Sequence, residues 1–167
     1  MRQRDATAED RLERLLELQT LLARVSREIG PALELQPVLA TVLRAMRSLV
    51  DFRGGTIQLV EGGSVYIAAS DPPVSPDVAA ARLPIGTGLG GRVVSTGEYV
   101  YSADIQHDDR VDVRLRRLGS NAGMRSYLAV PLVCLGRVVG LVQIDSTEPD
   151  AFDADDLHVL EGLATQV

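Results

Sequence analysis

The sequence predicts an α+β domain, an antiparallel β-sheet flanked by helices with the N- and C-terminal helices packed together. Three observations predict it. Apolar residues recur every three to four positions toward both ends of the chain, they alternate or run continuously in short segments between, and those segments are joined by hairpins. A doubly wound parallel sheet would need crossover helices between strands, and the sequence offers none. At 167 residues the chain fits one domain, and its 46% hydrophobic content can fill a core. With no Trp and two Phe, that core must be mostly Leu, Val, Ile and Ala.

Residues 1–8 are polar, and a helix is expected from Glu9 to Ile29. Leu15, Leu18, Leu22, Val25 and Ile29 recur at alternating spacings of three and four, an apolar seam that suits a parallel dimer. Leu12, Leu16 and Leu21 widen it, so one face can meet the chain's own sheet while the other meets a partner. Gly30-Pro31 ends this helix, because Gly caps a C-terminus and Pro cannot continue it. The expected organisation is an N-terminal helix over 1–30 and a folded domain over 31–167.

A second helix is expected from Leu35 to Val50, with Val38, Leu39, Val42, Leu43, Met46 and Leu49 on one face. Thr56 to Val60 and Val65 to Ala69 then read as strands around a Gly62-Gly63 turn. The Pro-rich stretch Ser70 to Ala81 reads as a loop with a helical turn at Pro76–Ala81. Arg82 to Ile85 is a short strand, the glycine run Gly86 to Gly91 opens a brief helix over Leu89–Ser95, and Tyr99 to Ser102 is another strand. A charged loop with a short helix is expected over Asp104–Ser120. Ser126–Cys134 and Val138–Asp145 are the longest apolar runs, separated by Leu135-Gly136-Arg137, and are expected to form the central hairpin. Pro131 inside the first marks a bulge or an edge-facing position. Asp153 and its acidic neighbours cap a last helix with Leu157, Leu160, Ala164 and Val167 on its apolar side.

Composition removes several function classes. A net charge of −6 with dispersed Arg repels nucleic acid. The single Cys134 excludes an intramolecular disulfide and a multi-Cys metal site. No apolar run follows the N-terminus and none is long enough to span a bilayer, so no membrane insertion and a cytoplasmic location are expected.

Four stretches carry a resemblance: Leu83 to Val94 (LPIGTGLGGRVV), Tyr101 to Ile105 (YSADI), Met124 to Leu132 (MRSYLAVPL), and Gly140 to Ser146 (GLVQIDS) followed by Phe152 to Leu157 (FDADDL). Their order, spacing and context resemble the GAF family, PAS-related sensory domains, over Leu35 to Val167. The resemblance implies an antiparallel sheet with a small-molecule pocket on one face, roofed by variable loops. It also implies a place upstream of histidine kinases, cyclases, phosphatases or transcription regulators, as in two-component systems.

Reactive groups are sparse. The free methionine sulfoxide reductases that resemble this family place Cys in the glycine-rich turn and ahead of the strand equivalent to Tyr127–Pro131; neither position holds Cys here. Haem-binding members use a His before the MRxxLxVP stretch, where this chain has none, and bilin attachment lacks its Cys. The Asp108, Asp109 and Asp112 group lies among Arg, and Asp153, Asp155 and Asp156 suit a helix cap, so no metal is expected. The glycine run lacks the βαβ context of a dinucleotide site. Polar residues on apolar strands are the remaining pocket candidates: Gln58, Tyr101, Asp104, Arg125, Tyr127 and Gln143. The alternative is that Gln58 and Gln143 face solvent. The sequence thus leads to a non-enzymatic, dimeric input domain that binds an unidentified small molecule and controls a C-terminal output domain. The alternatives are a reductase-like enzyme and a ligand-free dimerisation scaffold.

Overall fold

The computed structural model describes residues 35–111, 113, 116–117 and 122–164. The expected helix over 1–30, with its seam and its packing on the last helix, lies outside them. In chain order the elements are α1 (Leu35–Met46), β1 (Gly54–Glu61), β2 (Ser64–Asp71), α2 (Pro76–Ala80), β3 (Arg82–Pro84), α3 (Gly88–Thr96), β4 (Val100–Ser102), β5 (Ser126–Cys134), β6 (Arg137–Ser146) and α4 (Ala154–Ala164). The six strands form one antiparallel sheet in the order β3-β2-β1-β6-β5-β4, as the hairpin connections predict.

Side-chain alternation along the strands splits the core in two. Ile57, Leu128, Val130, Leu132, Val142 and Ile144 face α1 and α4, joined there by Leu43, Met46 and Leu160. Val65, Tyr127, Ala129 and Leu141 face the other way, against Leu89 and Val93 of α3 and Ile105 and Val111 of the following loop. Both β5 and β6 feed both cores, which is why they read as unbroken apolar runs. β1 and β6 occupy the centre of the sheet, with β5 one place further out. α1 ends at Met46, four residues before the expected Val50, because tight turns with Leu49 and Val50 N–H donating to Met46 O take over.

The glycine run is a packing device. The Gly86 N–H donates to Gly91 O at 3.0 Å, and a β-carbon on Gly91 would sit 2.9 Å from Gly86 N. Only hydrogen on Gly91 lets the turn close against the first turn of α3. β4 pairs with β5 only from Ser102–Tyr127 to Val100–Ala129, so Pro131 lies where the β5 edge is no longer covered. The bulge expected nearby falls between Leu132 and Val133.

The two hairpins reach their tips by the same backbone route. Gly62 and Gly63 have φ of 56° and 82°, and Leu135 and Gly136 have φ of 49° and 74°, both the two-residue turn whose central positions are left-handed. Glycine adopts this freely. Leucine does so at a cost of about 1–2 kcal/mol, and Leu135 is nonetheless 97% exposed.

Candidate functional site

On the sheet face that meets α3, polar side chains from three strands join in one chain. The register sets Thr56 opposite Gln143 and Tyr127 opposite Asp145, so all four share a face, and Gln58 follows two residues after Thr56. Gln58 Nε2 donates to Thr56 Oγ1 at 3.1 Å and to Gln143 Oε1 at 2.8 Å. The Tyr127 hydroxyl donates to the same Gln143 oxygen at 2.9 Å. With Oε1 occupied twice, the Gln143 amide is fixed, and its Nε2 has no acceptor among the described residues. The first turn of α3 lies over this group: a β-carbon on Gly90 would be 3.3 Å from the Tyr127 hydroxyl and 3.7 Å from Gln143 Oε1.

Asp145 completes the face. It is 5% exposed, and Arg53 reaches Oδ1 through Nε at 2.6 Å, while Oδ2 has no hydrogen-bond donor among the described residues. Burial raises the Asp145 carboxyl above its usual range, the Arg53 guanidinium opposing it. Burial likewise raises the Tyr127 phenol, helped by the nearby Asp145 charge, so the hydroxyl stays protonated and can donate.

The six residues expected to line one pocket are not brought together. Gln58, Tyr127 and Gln143 meet, and Gln58 at 8% exposure does not face solvent. Tyr101 packs against the α1/α4 core, and its hydroxyl donates to Asp150 Oδ1. Strand alternation puts it on the opposite face. Asp104 and Arg125 form an ion pair at the end of β5, through Arg125 Nε–Oδ1 at 3.0 Å and NH2–Oδ2 at 2.6 Å, with His107 Nδ1 on Oδ2 at 2.9 Å. The Arg125 hydrogen bond holds the Asp104 carboxyl well below its usual range. Thr56 and Asp145 belong to the cluster but escape the sequence reading. Their signal is the two-residue spacing from Gln58 and Gln143.

The remaining polar groups have local tasks. Arg110 forks onto both oxygens of Asp108, at 2.9 and 2.6 Å. Asp153 Oδ1 accepts from the N–H groups of Asp155 and Asp156, the expected helix cap. Cys134 is half-buried at the foot of the β5–β6 turn. It lies seven residues along β5 from Tyr127, about 24 Å at roughly 3.4 Å per residue. No helix among the described residues is long and apolar enough to cross a membrane.

The GAF domain family matches residues 32–167, and the chain belongs to it. Its sequence is 30% identical over 135 residues to the Nif-specific regulatory protein of Azospirillum lipoferum, a match over 78% of this chain and 21% of that protein. The chain thus spans about a fifth of that relative's length. It is 25% identical over 119 residues to the free methionine-R-sulfoxide reductase of Escherichia coli (strain K12), covering 71% of this chain and 66% of the reductase. Among solved structures, the free methionine-R-sulfoxide reductase of Neisseria meningitidis superposes with a TM-score of 0.75 at 20% identity, covering 97% of this chain and 89% of that one. The GAF domain of the Acinetobacter phosphoenolpyruvate-protein phosphotransferase superposes with a TM-score of 0.68 at 20% identity, over 90% and 89% of the two chains. The expectation of a domain without catalysis is overturned here, because enzymes stand beside regulators among its neighbours in both sequence and structure.

Proposed function

We propose that this chain is a regulatory input domain of a bacterial signal-transduction protein, holding a small polar molecule against the Tyr127–Gln143 face and controlling an output domain. The observation that carries this reading is the polar chain Thr56–Gln58–Gln143–Tyr127, buried except at half-buried Gln143, with Asp145 beside it. Burying so many polar groups on one sheet face costs stability unless each is satisfied. Gln143 Nε2 and Asp145 Oδ2 present one donor and one acceptor to a ligand that carries both. The similarity to a Nif-specific regulatory protein, of which the domain forms only a part, supports the regulatory role. In this reading the chain works as a cytoplasmic homodimer through Leu15, Leu18, Leu22, Val25 and Ile29.

Native mass spectrometry of the purified protein, followed by thermal shift with amino acids, nucleotides and dicarboxylates, tests it. A ligand should raise the Tm of the wild type, by the linkage that stabilises whichever state it binds, and should lose that effect in Gln143→Ala. No shift from any co-purifying or added compound, or an equal shift in Gln143→Ala, would sink the reading.

A second reading, reductase-type chemistry, is favoured by the similarity to the Escherichia coli free methionine-R-sulfoxide reductase. It requires a thiol, and the chain's one cysteine is Cys134. An NADPH-coupled assay with thioredoxin and free methionine sulfoxide decides it. Turnover abolished by Cys134→Ser supports this reading, and no turnover above buffer removes it.

A further inference from the structure

The fully exposed leucine at the β5–β6 tip is the least expected side chain on the surface. The equivalent turn between β1 and β2 meets the same left-handed requirement with two glycines. Leu135 therefore carries backbone strain and full apolar exposure at one position, and none of the described residues covers it. Arg137, the first residue past the turn, is exposed and makes no ion pair among the described residues. The tip is an apolar knob with a cation at its base.

A groove of about 800 Å³ lies beside it, under the short edge strand β4. Its apolar lining includes Tyr99, Pro131 and Val133, the last only two residues before the knob, and Tyr99 is 50% exposed. Its charged lining includes Glu98, while Arg110, which also lines it, is already held by Asp108. Glu98 has no ion pair among the described residues. Knob and groove thus match in both polarity and charge: leucine with arginine on one side, an apolar trough with the Glu98 carboxylate on the other.

We propose that this end of the sheet is a self-association surface, in which Leu135 of one copy enters the groove of a second and Arg137 meets Glu98. Because knob and groove lie side by side on one molecule, a two-fold axis between them makes the contact twice, a closed isologous pair. This surface is separate from the Leu15–Ile29 seam and from the Tyr127–Gln143 face, and it stands whether or not a ligand binds.

Sedimentation of the full chain over roughly 1–100 µM, where weak interfaces register, tests it with two sets of variants. Leu135→Asn suits the left-handed turn, so its Tm should not fall, while its dimer dissociation constant should weaken at least tenfold. Arg137→Glu and Glu98→Arg should each weaken the dimer, and the two together should recover most of the loss. A wild type that stays monomeric throughout would overturn the proposal. So would a dissociation constant that Leu135→Asn leaves within twofold, or a charge swap that recovers nothing. Self-association abolished by Leu18→Glu with Val25→Glu but unmoved by the hairpin variants would assign the contact to the seam and equally overturn it.

Discussion

The Tyr127 hydroxyl lies 3.3 Å from where a β-carbon on Gly90 would stand, so the start of α3 rests directly on the polar chain of the sheet. The phenol is donor to Gln143 and floor to α3 at once. Tyr127→Phe should lower the unfolding free energy by about 0.5–1.5 kcal/mol, the net worth of one hydrogen bond. The partner oxygen keeps Gln58, so no acceptor is orphaned. Urea denaturation checks the magnitude; a loss above about 3 kcal/mol, beyond what one hydrogen bond supplies, would mean that the ring itself had shifted.

Adjacent glycines should respond differently to the same substitution. At Gly91 a methyl group meets the Gly86 backbone at 2.9 Å, and Gly91→Ala should cost about 1–3 kcal/mol as overpacking. At Gly90 the nearest atoms are side chains at 3.3 and 3.4 Å. Gly90→Ala should stay within about 1 kcal/mol of wild type, since alanine's helix propensity offsets the tight fit. Equal urea midpoints for the two variants would refute the packing account of the glycine run.

Two carboxylates should leave opposite marks on the pH dependence of stability. Arg125 holds the Asp104 carboxyl low in the native state. The stability this confers is complete above the unfolded pKa of about 3.9 and is lost as the pH falls below it. Burial raises the Asp145 carboxyl. Its contribution is therefore present at low pH and is lost as the pH rises through the acid range. The stability difference between wild type and Asp104→Asn should widen between about pH 3 and pH 6, while that between wild type and Asp145→Asn should narrow. Parallel urea titrations at fixed ionic strength decide the matter, and two curves of the same slope would contradict it.

The N-terminal seam makes its own prediction. Leu18→Glu with Val25→Glu should remove whatever association that stripe holds and leave a folded protein that sediments with the hairpin contact alone, becoming monomeric only when Leu135→Asn is added. Each buried aliphatic residue contributes about 1.5–3 kcal/mol before entropic costs. A wild type already monomeric at tens of micromolar would eliminate the seam as an interface.

What the sequence revealed depended on whether the controlling interaction was local. The short alternating run at Thr56–Val60, the continuous apolar run at Ser126–Cys134 and the turn glycines specified the strands and their antiparallel pairing, because such patterning and turn chemistry act over a few residues. The Asp153 cap was legible for the same reason. The composition of the polar face was not. Tyr101 and Tyr127 look alike as tyrosines in apolar strands, yet the register of β4 on β5 sends them to opposite faces. Asp145 sits at the end of a strand and reads as an exposed terminus; its burial arises from Arg53, which lies 92 residues away in sequence.

Asp150 also has mechanical meaning. Its N–H donates to Ala103 O at 2.7 Å and its carboxylate accepts the Tyr101 hydroxyl, so the entry to α4 is stitched to β4 rather than left hanging from β6. A load applied through the end of α4 would strain this stitch before any strand ladder. The sheet has six strands in unbroken antiparallel contact and would outlast it. Pulled in an optical trap from that end, the domain should first yield residues 147–164, a contour gain of about 60 Å at the reach of an extended chain, with β1 to β6 still zipped. Asp150 thus acts as a fuse. It sets the tension that the helix can pass on to the sheet before the two part, and Tyr101→Phe would lower that threshold without altering the ladder behind it.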